Sequence, residues 1–176
     1  DSKLFDHANW RLCAMQALGA KDFASLTQDQ FDLDDPELVT FIARHSLPRR
    51  GIIAGPDEIL ITLGAQNALW LSSQLLASDG RKVAIEDPCY PELVTPVAVD
   101  EKGLPPENIP DGTQVIFTTP SHQCPTSSTL PRDRRDALLK RAAELDAIVV
   151  EDDYEFEMSF LAPPSPALKS LDEDGR

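Results

Sequence analysis

The stretch LPRDRRDALLKRAAELDAIVVEDDY, from Leu130 to Tyr154, contains both of the patterns that decide the fold. Its first part places Leu138, Leu139, Ala142 and Leu145 on one side of a helix, because such positions recur at the spacing of helical turns. Its second part includes AIVV, a short apolar run of the kind that forms a buried strand. A helix followed directly by a buried strand is the repeating unit of an α/β protein with a parallel sheet.

The same alternation extends towards the N-terminus. Three more apolar segments are expected to be strands, namely EILITL (58–63), KVAIE (82–86) and QVIFTT (114–119). A helix is expected from Ala68 to Leu76, with GAQN before it as a turn. We therefore predict an α/β fold, with a mostly parallel sheet and helices on both of its faces.

Two further helices are expected before the first of these strands. One lies around Trp10 to Leu18. The other begins at Pro36, where Asp35 can act as the N-cap and proline suits the first helical position. We divide the chain into an N-terminal segment, 1–34, and an α/β domain, 35–176.

The composition narrows the function classes. The 176 residues carry a net charge of −14, which argues against nucleic-acid binding by this segment itself, because phosphate contacts require a basic surface. No apolar run approaches the roughly 20 residues of a membrane span, and no secretion signal is visible. The three cysteines form no CxxC pair and the three histidines lack metal-ligand spacing. We expect a cytoplasmic protein with free thiols, no metal site and no membrane association.

Polar residues follow each of the four expected strands. In open α/β sheets, ligands bind beyond the carboxyl ends of the strands. Taken singly, these ends have ordinary structural interpretations, such as a tight turn, a proline-bounded loop or a solvated acidic turn. The functional alternatives are an anion cradle, a stacking surface and a carboxylate held for a protonated ring nitrogen. The four ends are Gly64-Ala65-Gln66, Asp87-Pro88-Cys89-Tyr90, Ser121-His122-Gln123 and Glu151-Asp152-Asp153-Tyr154.

Taken together and in order, these motifs resemble a known family. The segments LPRRGI, DEILITLGAQNAL, AIEDPCYPEL, TPSHQCPT, VVEDDYEFE and PALKSLD are similar to the aminotransferase-like domain of the MocR subfamily of GntR-type transcription regulators. That domain is related to the fold-type I aminotransferases, which bind pyridoxal 5′-phosphate (PLP). The resemblance covers roughly residues 35–176 and implies the large domain of that fold, in incomplete form. The combination of TPSHQCPT with EDDYEFE is more specific than either motif alone.

The resemblance implies that PLP is the cofactor. It also indicates which residues would contact the phosphate of PLP and one face of its ring. Gly64, Ala65 and Gln66 would hold the phosphate, and Tyr90 would stack on the pyridine ring.

The remaining assignments concern the edge of the ring. By the same resemblance, Asp152 would pair with the pyridine nitrogen and Tyr154 would donate to the phenolic oxygen. Either His122 or Gln123 would line this edge, and the sequence leaves that choice open. Asp153 is expected to point away from the ring, because adjacent residues of an extended chain face opposite sides.

The implied function is the effector-sensing domain of a PLP-binding transcription regulator. The effector would be an amino acid, an amine or PLP itself. DNA would be bound only through a winged-helix domain that this chain lacks, and relatives are expected to be homodimers. The alternative is a class I/II aminotransferase acting on an amino acid or an amine. A third interpretation is a cofactor-free interaction domain.

No catalytic residue is assigned. In relatives, the lysine that holds PLP and the arginine that binds a substrate carboxylate would both lie beyond Arg176, and Lys169 precedes the position of that lysine. Whether transaminase activity is retained is therefore open.

One connection departs from the family pattern. Pro91 to Val94 is too short for the crossover of about a dozen residues that parallel strands require. We therefore expect residues to be missing between roughly Leu93 and Val94.

Overall fold

The computed structural model describes residues 5–19, 23, 27–29, 31–77, 80–89, 95–154 and 165–173. The chain consists of two compact units, Asp1–Pro36 and Glu37–Arg176. The first contains helix α1, His7–Ala17, at whose start Asp6 accepts a hydrogen bond from the backbone N–H of Asn9 at 3.0 Å. The predicted first helix is thus confirmed, although it begins three residues earlier than expected.

A helical segment of changing pitch runs from Pro36 into the second unit. Helix α2, Pro36–Phe41, starts at the proline, as predicted. It continues as a π-helical turn, Ile42–Ser46, and a 3₁₀ turn, Leu47–Arg50. Gly51 ends the segment with φ +75°, and a Cβ there would lie 2.8 Å from the Cβ of Ser170. Only glycine fits this close approach in the left-handed region.

Four parallel strands form the sheet, in the order β2-β1-β3-β4. The fold class predicted from the alternating pattern is therefore confirmed. The carboxyl ends of all four strands lie at one edge because the strands are parallel. Their bounds are Val83–Asp87 for β1, Thr95–Ala98 for β2, Val115–Thr118 for β3 and Ile148–Glu151 for β4.

Two longer helices belong to this unit. Helix α3, Ala65–Leu76, precedes the first strand, and helix α4, Arg132–Leu145, connects β3 to β4. Leu138 and Ala142 of α4 are fully buried, as the helical spacing predicts. Their core cluster draws on the strands, on α4 and on the loops, through Ala84, Val97, Leu104, Ile109, Ile116, Leu130, Leu138, Ala142, Ala147 and Leu168.

The connection between β1 and β2 is unusually short. The two strands pair in parallel, yet only the seven residues 88–94 join them. Crossovers between parallel strands normally take about a dozen residues or more. The junction between Leu93 and Val94, where we expect residues to be missing, lies outside the described residues.

Two expectations near α3 are wrong. The segment 58–63 is not a strand, because Pro56–Glu58 forms a 3₁₀ turn and the residues after it lie outside the sheet. Leu60 and Leu63 are exposed, so the apolar run that suggested a buried strand faces outwards instead. GAQN is not a separate turn either, since α3 already begins at Ala65.

Among the described residues, none of the helices has the length and apolar character that crossing a bilayer would require.

Candidate functional site at the carboxyl edge of the sheet

The ends of β1 and β3 are joined by a buried carboxylate, Glu86. One of its oxygens accepts hydrogen bonds from the hydroxyl of Thr118 at 2.6 Å and from the backbone N–H of Thr119 at 3.0 Å. The other oxygen accepts from the hydroxyl of Thr119. Sequence reasoning missed this residue, although an acidic residue inside the apolar run KVAIE was a usable signal, because a buried carboxylate needs donors.

The first acid after β4, Glu151, holds a neighbouring segment of the chain. Its carboxylate accepts hydrogen bonds from the backbone N–H groups of Leu168 at 3.0 Å and Lys169 at 3.4 Å. These are the first residues of a 3₁₀ turn, Leu168–Leu171, whose N–H groups lack partners within the turn. Burial raises the pKa of Glu151, and the N–H group of Leu168 acts in the opposite direction.

Asp152 has a different environment. Its backbone N–H continues the ladder to β3 by donating to the carbonyl of Thr118 at 2.9 Å. Its half-buried carboxylate has neither a hydrogen-bond donor nor a cation as a partner within the described ranges. Burial raises the pKa of Asp152, and the charges of Asp153 and Glu86 raise it further. A nearby cation would favour the charged form of this carboxylate.

Asp153, in contrast to Asp152, forms an ion pair within the chain. Its Oδ2 forms an ion pair with the guanidinium of Arg50, a side chain that is only 2% exposed. Asp153 therefore has a cationic partner within the chain, whereas Asp152 has none among the described residues. Sequence reasoning missed the role of Arg50, which lies in the LPRRGI motif.

The loop after β3 is held together by Gln123, which is 1% exposed. Its Nε2 donates to the carbonyls of Pro88 and Cys124, both at 2.8 Å. Its Oε1 accepts from the backbone N–H of Thr126 at 3.0 Å and from its hydroxyl at 2.6 Å. The hydrogen bonds of this amide are thus made to protein groups, and the bond to Pro88 connects the loop to the end of β1.

His122 and Tyr154 lie side by side at the edge. Their rings meet edge to face, with centroids 6.0 Å apart. The hydroxyl of Tyr154, which the family resemblance directs at a cofactor oxygen, donates here to the backbone carbonyl of His122 at 2.9 Å. This contact ties the end of β4 to the loop that follows β3.

The N-terminus of α3 is open in front of Gly64. This residue has φ +88° and ψ 174°, and a Cβ built on it would meet nothing within 4 Å. Its carbonyl accepts from the N–H groups of Asn67 and Ala68, both at 3.1 Å. Ala65 and Gln66 are the first helical residues, whose N–H groups have no partner within a helix and suit an anion.

Two predicted features of the site remain unobserved. Tyr90 lies outside the described residues. The convergence of Gly64 with the ends of β1, β3 and β4 stays a prediction, whereas the contacts above do join those three strand ends. In the described part of the chain, no three His, Cys, Asp or Glu side chains are grouped to hold a metal ion.

The curated relatives of this chain include bacterial transcription regulators. The HTH-type transcriptional regulator TauR of Rhodobacter capsulatus is 52% identical over 186 aligned residues, which cover 100% of this chain and 38% of TauR. The pyridoxine biosynthesis regulator PdxR of Corynebacterium glutamicum is 35% identical over 76% of this chain and 31% of its own length. The probable rhizopine catabolism regulatory protein MocR of Rhizobium meliloti is 33% identical over 80% of this chain and 31% of its own length. The chain thus spans less than two fifths of these relatives.

The length of the TauR alignment bears on the short connection after β1. This chain has 176 residues and the alignment has 186 positions, so at least ten positions have no residue from this chain. A longer β1–β2 connection in TauR fits this difference.

Solved structures similar to this chain are aminotransferases. An archaeal alanine:glyoxylate aminotransferase matches with a TM-score of 0.85 and 26% identity, over 100% of this chain and 48% of the enzyme. The α-aminoadipate aminotransferase LysN of Thermus thermophilus, solved with N-(5′-phosphopyridoxyl)-L-leucine, matches with a TM-score of 0.77 and 26% identity, over 96% of this chain and 46% of the enzyme. No family model matches the chain.

Proposed function

This chain is a homologue of the MocR-type helix-turn-helix regulators and has the fold of the fold-type I aminotransferases, and from this premise we propose that it binds PLP and senses a small-molecule effector. In this proposal it is the aminotransferase-like part of a longer GntR-type regulator. DNA is bound by a separate winged-helix part, and the PLP-binding parts associate as a homodimer in the cytoplasm.

The observation that carries the proposal is the state of Asp152. The neighbouring Asp153 has a buried arginine as its partner, whereas Asp152 has no cation among the described residues and is half-buried. An unpaired carboxylate in such a position costs stability. A protonated ring nitrogen is a cation that would offset this cost, and a carboxylate beside it keeps the nitrogen protonated.

The other predicted site residues suit the remaining parts of PLP. The first N–H groups of α3, at Ala65 and Gln66, suit the phosphate, and the space in front of Gly64 admits it. We assign the ring edge to His122 rather than Gln123, because the amide of Gln123 is already engaged within the loop. Tyr154 would donate to the phenolic oxygen after releasing the carbonyl of His122.

Bound PLP supplies an electron-accepting ring and an aldehyde that reacts with primary amines. The residues of this chain bind and orient it, and Asp152 holds the proton on its ring nitrogen. We propose an amino acid, an amine or free PLP as the effector. Regulators related to this chain are named for pyridoxine biosynthesis and rhizopine catabolism.

Titration of the full-length protein with PLP, followed by visible absorbance, tests cofactor binding. We expect saturable binding by the wild type, at least about tenfold weaker binding by Asp152→Asn, and unchanged binding by the exposed control Glu101→Gln. Equal affinity of Asp152→Asn and the wild type would contradict the proposal.

A PLP-dependent aminotransferase is the second candidate, and the TM-score of 0.85 to an aminotransferase favours it. The two functions differ in what the loaded full-length protein does with an amino acid or amine. A regulator changes its affinity for its own promoter when the amine is added, as fluorescence anisotropy would show. An enzyme instead converts the amine and a 2-oxo acid with multiple turnovers, and such turnover without any change in DNA binding would decide for this alternative.

A further inference from the structure

Arg50 is a buried cation that the proposed cofactor site does not use directly. It closes the 3₁₀ turn Leu47–Arg50, and its side chain is 2% exposed. A buried guanidinium is costly unless its donors are paired, so its partners show which parts of the chain it serves.

Among the described residues, partners of Arg50 lie in three separate segments. Nη2 donates to the hydroxyl of Ser121, after β3, at 2.8 Å and pairs with Asp153, after β4. Nη1 donates to the carbonyl of Ser165, and the carbonyl of Arg50 itself accepts from the N–H of Ala167 at 2.9 Å. One side chain therefore fixes the loop containing His122, the end of β4 and the segment that begins at Ser165.

Its charge also separates the two adjacent aspartates. Oδ1 of Asp153 is buried without a hydrogen-bond partner in the described part of the chain, so the contact with Arg50 is what compensates this carboxylate there. Without Arg50, an uncompensated charge would stand next to Asp152. Asp152 would then repel it and would itself hold its proton more tightly.

We propose that Arg50 is a positioning residue of the PLP site, which engages Asp153 so that Asp152 alone is left for the ring nitrogen. This inference rests on the proposed PLP-binding function. Arg50 does not touch the cofactor in this role. It acts through Asp153, whose charge it neutralises, and through Ser121, which precedes His122.

The test is the pH dependence of PLP affinity in the full-length protein. Among the described residues, the charged groups that act on Asp152 are Asp153 from its own segment and Glu86 from β1, and both raise the pKa of Asp152. The affinity for PLP should fall at low pH as Asp152 becomes protonated. This fall is the acid limb of the plot of affinity against pH. Four variants are compared with the wild type: Arg50→Met, the exposed neighbour control Arg49→Met, Asp153→Asn, and Arg50→Met combined with Asp153→Asn.

We expect Arg50→Met to weaken PLP binding about tenfold at neutral pH and to move the acid limb up by about one pH unit. Asp153→Asn should move the limb in the opposite direction, which gives a second readout if Arg50→Met does not fold. The double variant should return the limb to its wild-type position, and Arg49→Met should leave both affinity and limb unchanged.

The outcomes separate this inference from the proposed function. If the wild type does not bind PLP, the proposed function fails and this inference fails with it. If the wild type binds PLP but neither single variant moves the limb, the proposed function stands and the role of Arg50 is overturned. A uniform loss of affinity at every pH, not reversed in the double variant, would also overturn it, because it would show a purely structural arginine.

Discussion

Three adjacent carboxylates at the end of β4 occupy three different environments. Glu151 accepts hydrogen bonds from the backbone of Leu168 and Lys169, and Asp153 pairs with Arg50. Asp152, between them, has no such partner among the described residues. The acidic run is therefore not simply a solvated turn, since Glu151 and Asp153 are engaged within the fold and Asp152 is the member that we propose for the ligand.

Asp152→Asn should stabilise the protein in the absence of PLP. Burial raises the pKa of Asp152, so the folded state binds this proton more tightly than the unfolded chain does. Stability contributed by this group is then lost as pH rises from its ordinary value towards the raised pKa, and the cost is complete above it. Removing the charge should raise Tm by roughly 1–3 °C at pH 7, after allowance for partial solvent exposure.

The change in Tm is measured by thermal unfolding at several pH values, with circular dichroism as the signal. The gain should shrink as the pH falls below the ordinary pKa of aspartate, towards about pH 3, where the carboxyl group is mostly protonated in both states. The control Glu101→Gln should show no such trend. A lower Tm for Asp152→Asn at pH 7 would mean that the carboxylate has a stabilising partner in the folded protein.

Gly64→Ala should weaken both the fold and the binding of PLP. The φ and ψ of Gly64, +88° and 174°, belong to a region that only glycine occupies readily, so alanine should cost about 1–3 kcal/mol. Its methyl group would also take space in front of the first N–H groups of α3. Gly80→Ala is the control, because Gly80 also has positive φ and open space around it.

Both variants should lower Tm, but only Gly64→Ala should lower the affinity for PLP. Competition with inorganic phosphate in the same titration reports on the phosphate position. If Gly80→Ala reduced PLP affinity as strongly, the effect would come from general destabilisation rather than from the cradle at α3.

At the scale of elements, one amide joins two of the loops. Gln123→Leu would leave the carbonyls of Pro88 and Cys124 and the N–H of Thr126 without this partner. We expect a loss of about 2–4 kcal/mol in the free energy of unfolding, measured by urea titration. The exposed control Gln114→Leu should change it by less than about 0.5 kcal/mol. Similar values for the two variants would show that the amide of Gln123 does not hold the loops.

The alternating pattern predicted three of the four strands and the long helix α4. The runs that became β1, β3 and β4, and the buried face of α4, were readable because apolar periodicity reports burial. The segment 58–63 has an equally apolar pattern but is no strand, because Leu60 and Leu63 are exposed. Periodicity does not distinguish a buried strand from an extended segment whose apolar side chains face outwards.

Buried polar residues were the part that the pattern did not reveal. Arg135 lies on the buried side of α4, where its guanidinium donates to the carbonyls of Leu130, Pro120 and Pro166. Arg50 and Glu86 are buried for similar reasons, each serving partners far away in the sequence. Sequence spacing identifies helix neighbours, whereas these partners are brought together only by the complete fold.

At the scale of the whole chain, the net charge of −14 governs contacts with nucleic acid. We expect residues 1–176, prepared alone, to show no measurable DNA affinity at physiological salt, because counterion release requires a basic surface. Fluorescence anisotropy with a labelled duplex measures this, and the full-length protein serves as the positive control. Binding by the isolated chain that weakens steeply with salt would place a DNA-binding surface within it.

The pair Asp152-Asp153 has a consequence for insertions and deletions. Deleting either aspartate produces the same sequence, Glu-Asp-Tyr. The one remaining aspartate could then either pair with Arg50 or face the ligand, but not both. If it stayed with Arg50, the position facing the ligand would be lost, and if it faced the ligand, a buried arginine would be stranded. Shifting β4 by one residue would not help, because every side chain of the strand would change faces. A contraction that leaves the motif looking acidic and nearly intact should therefore abolish the site.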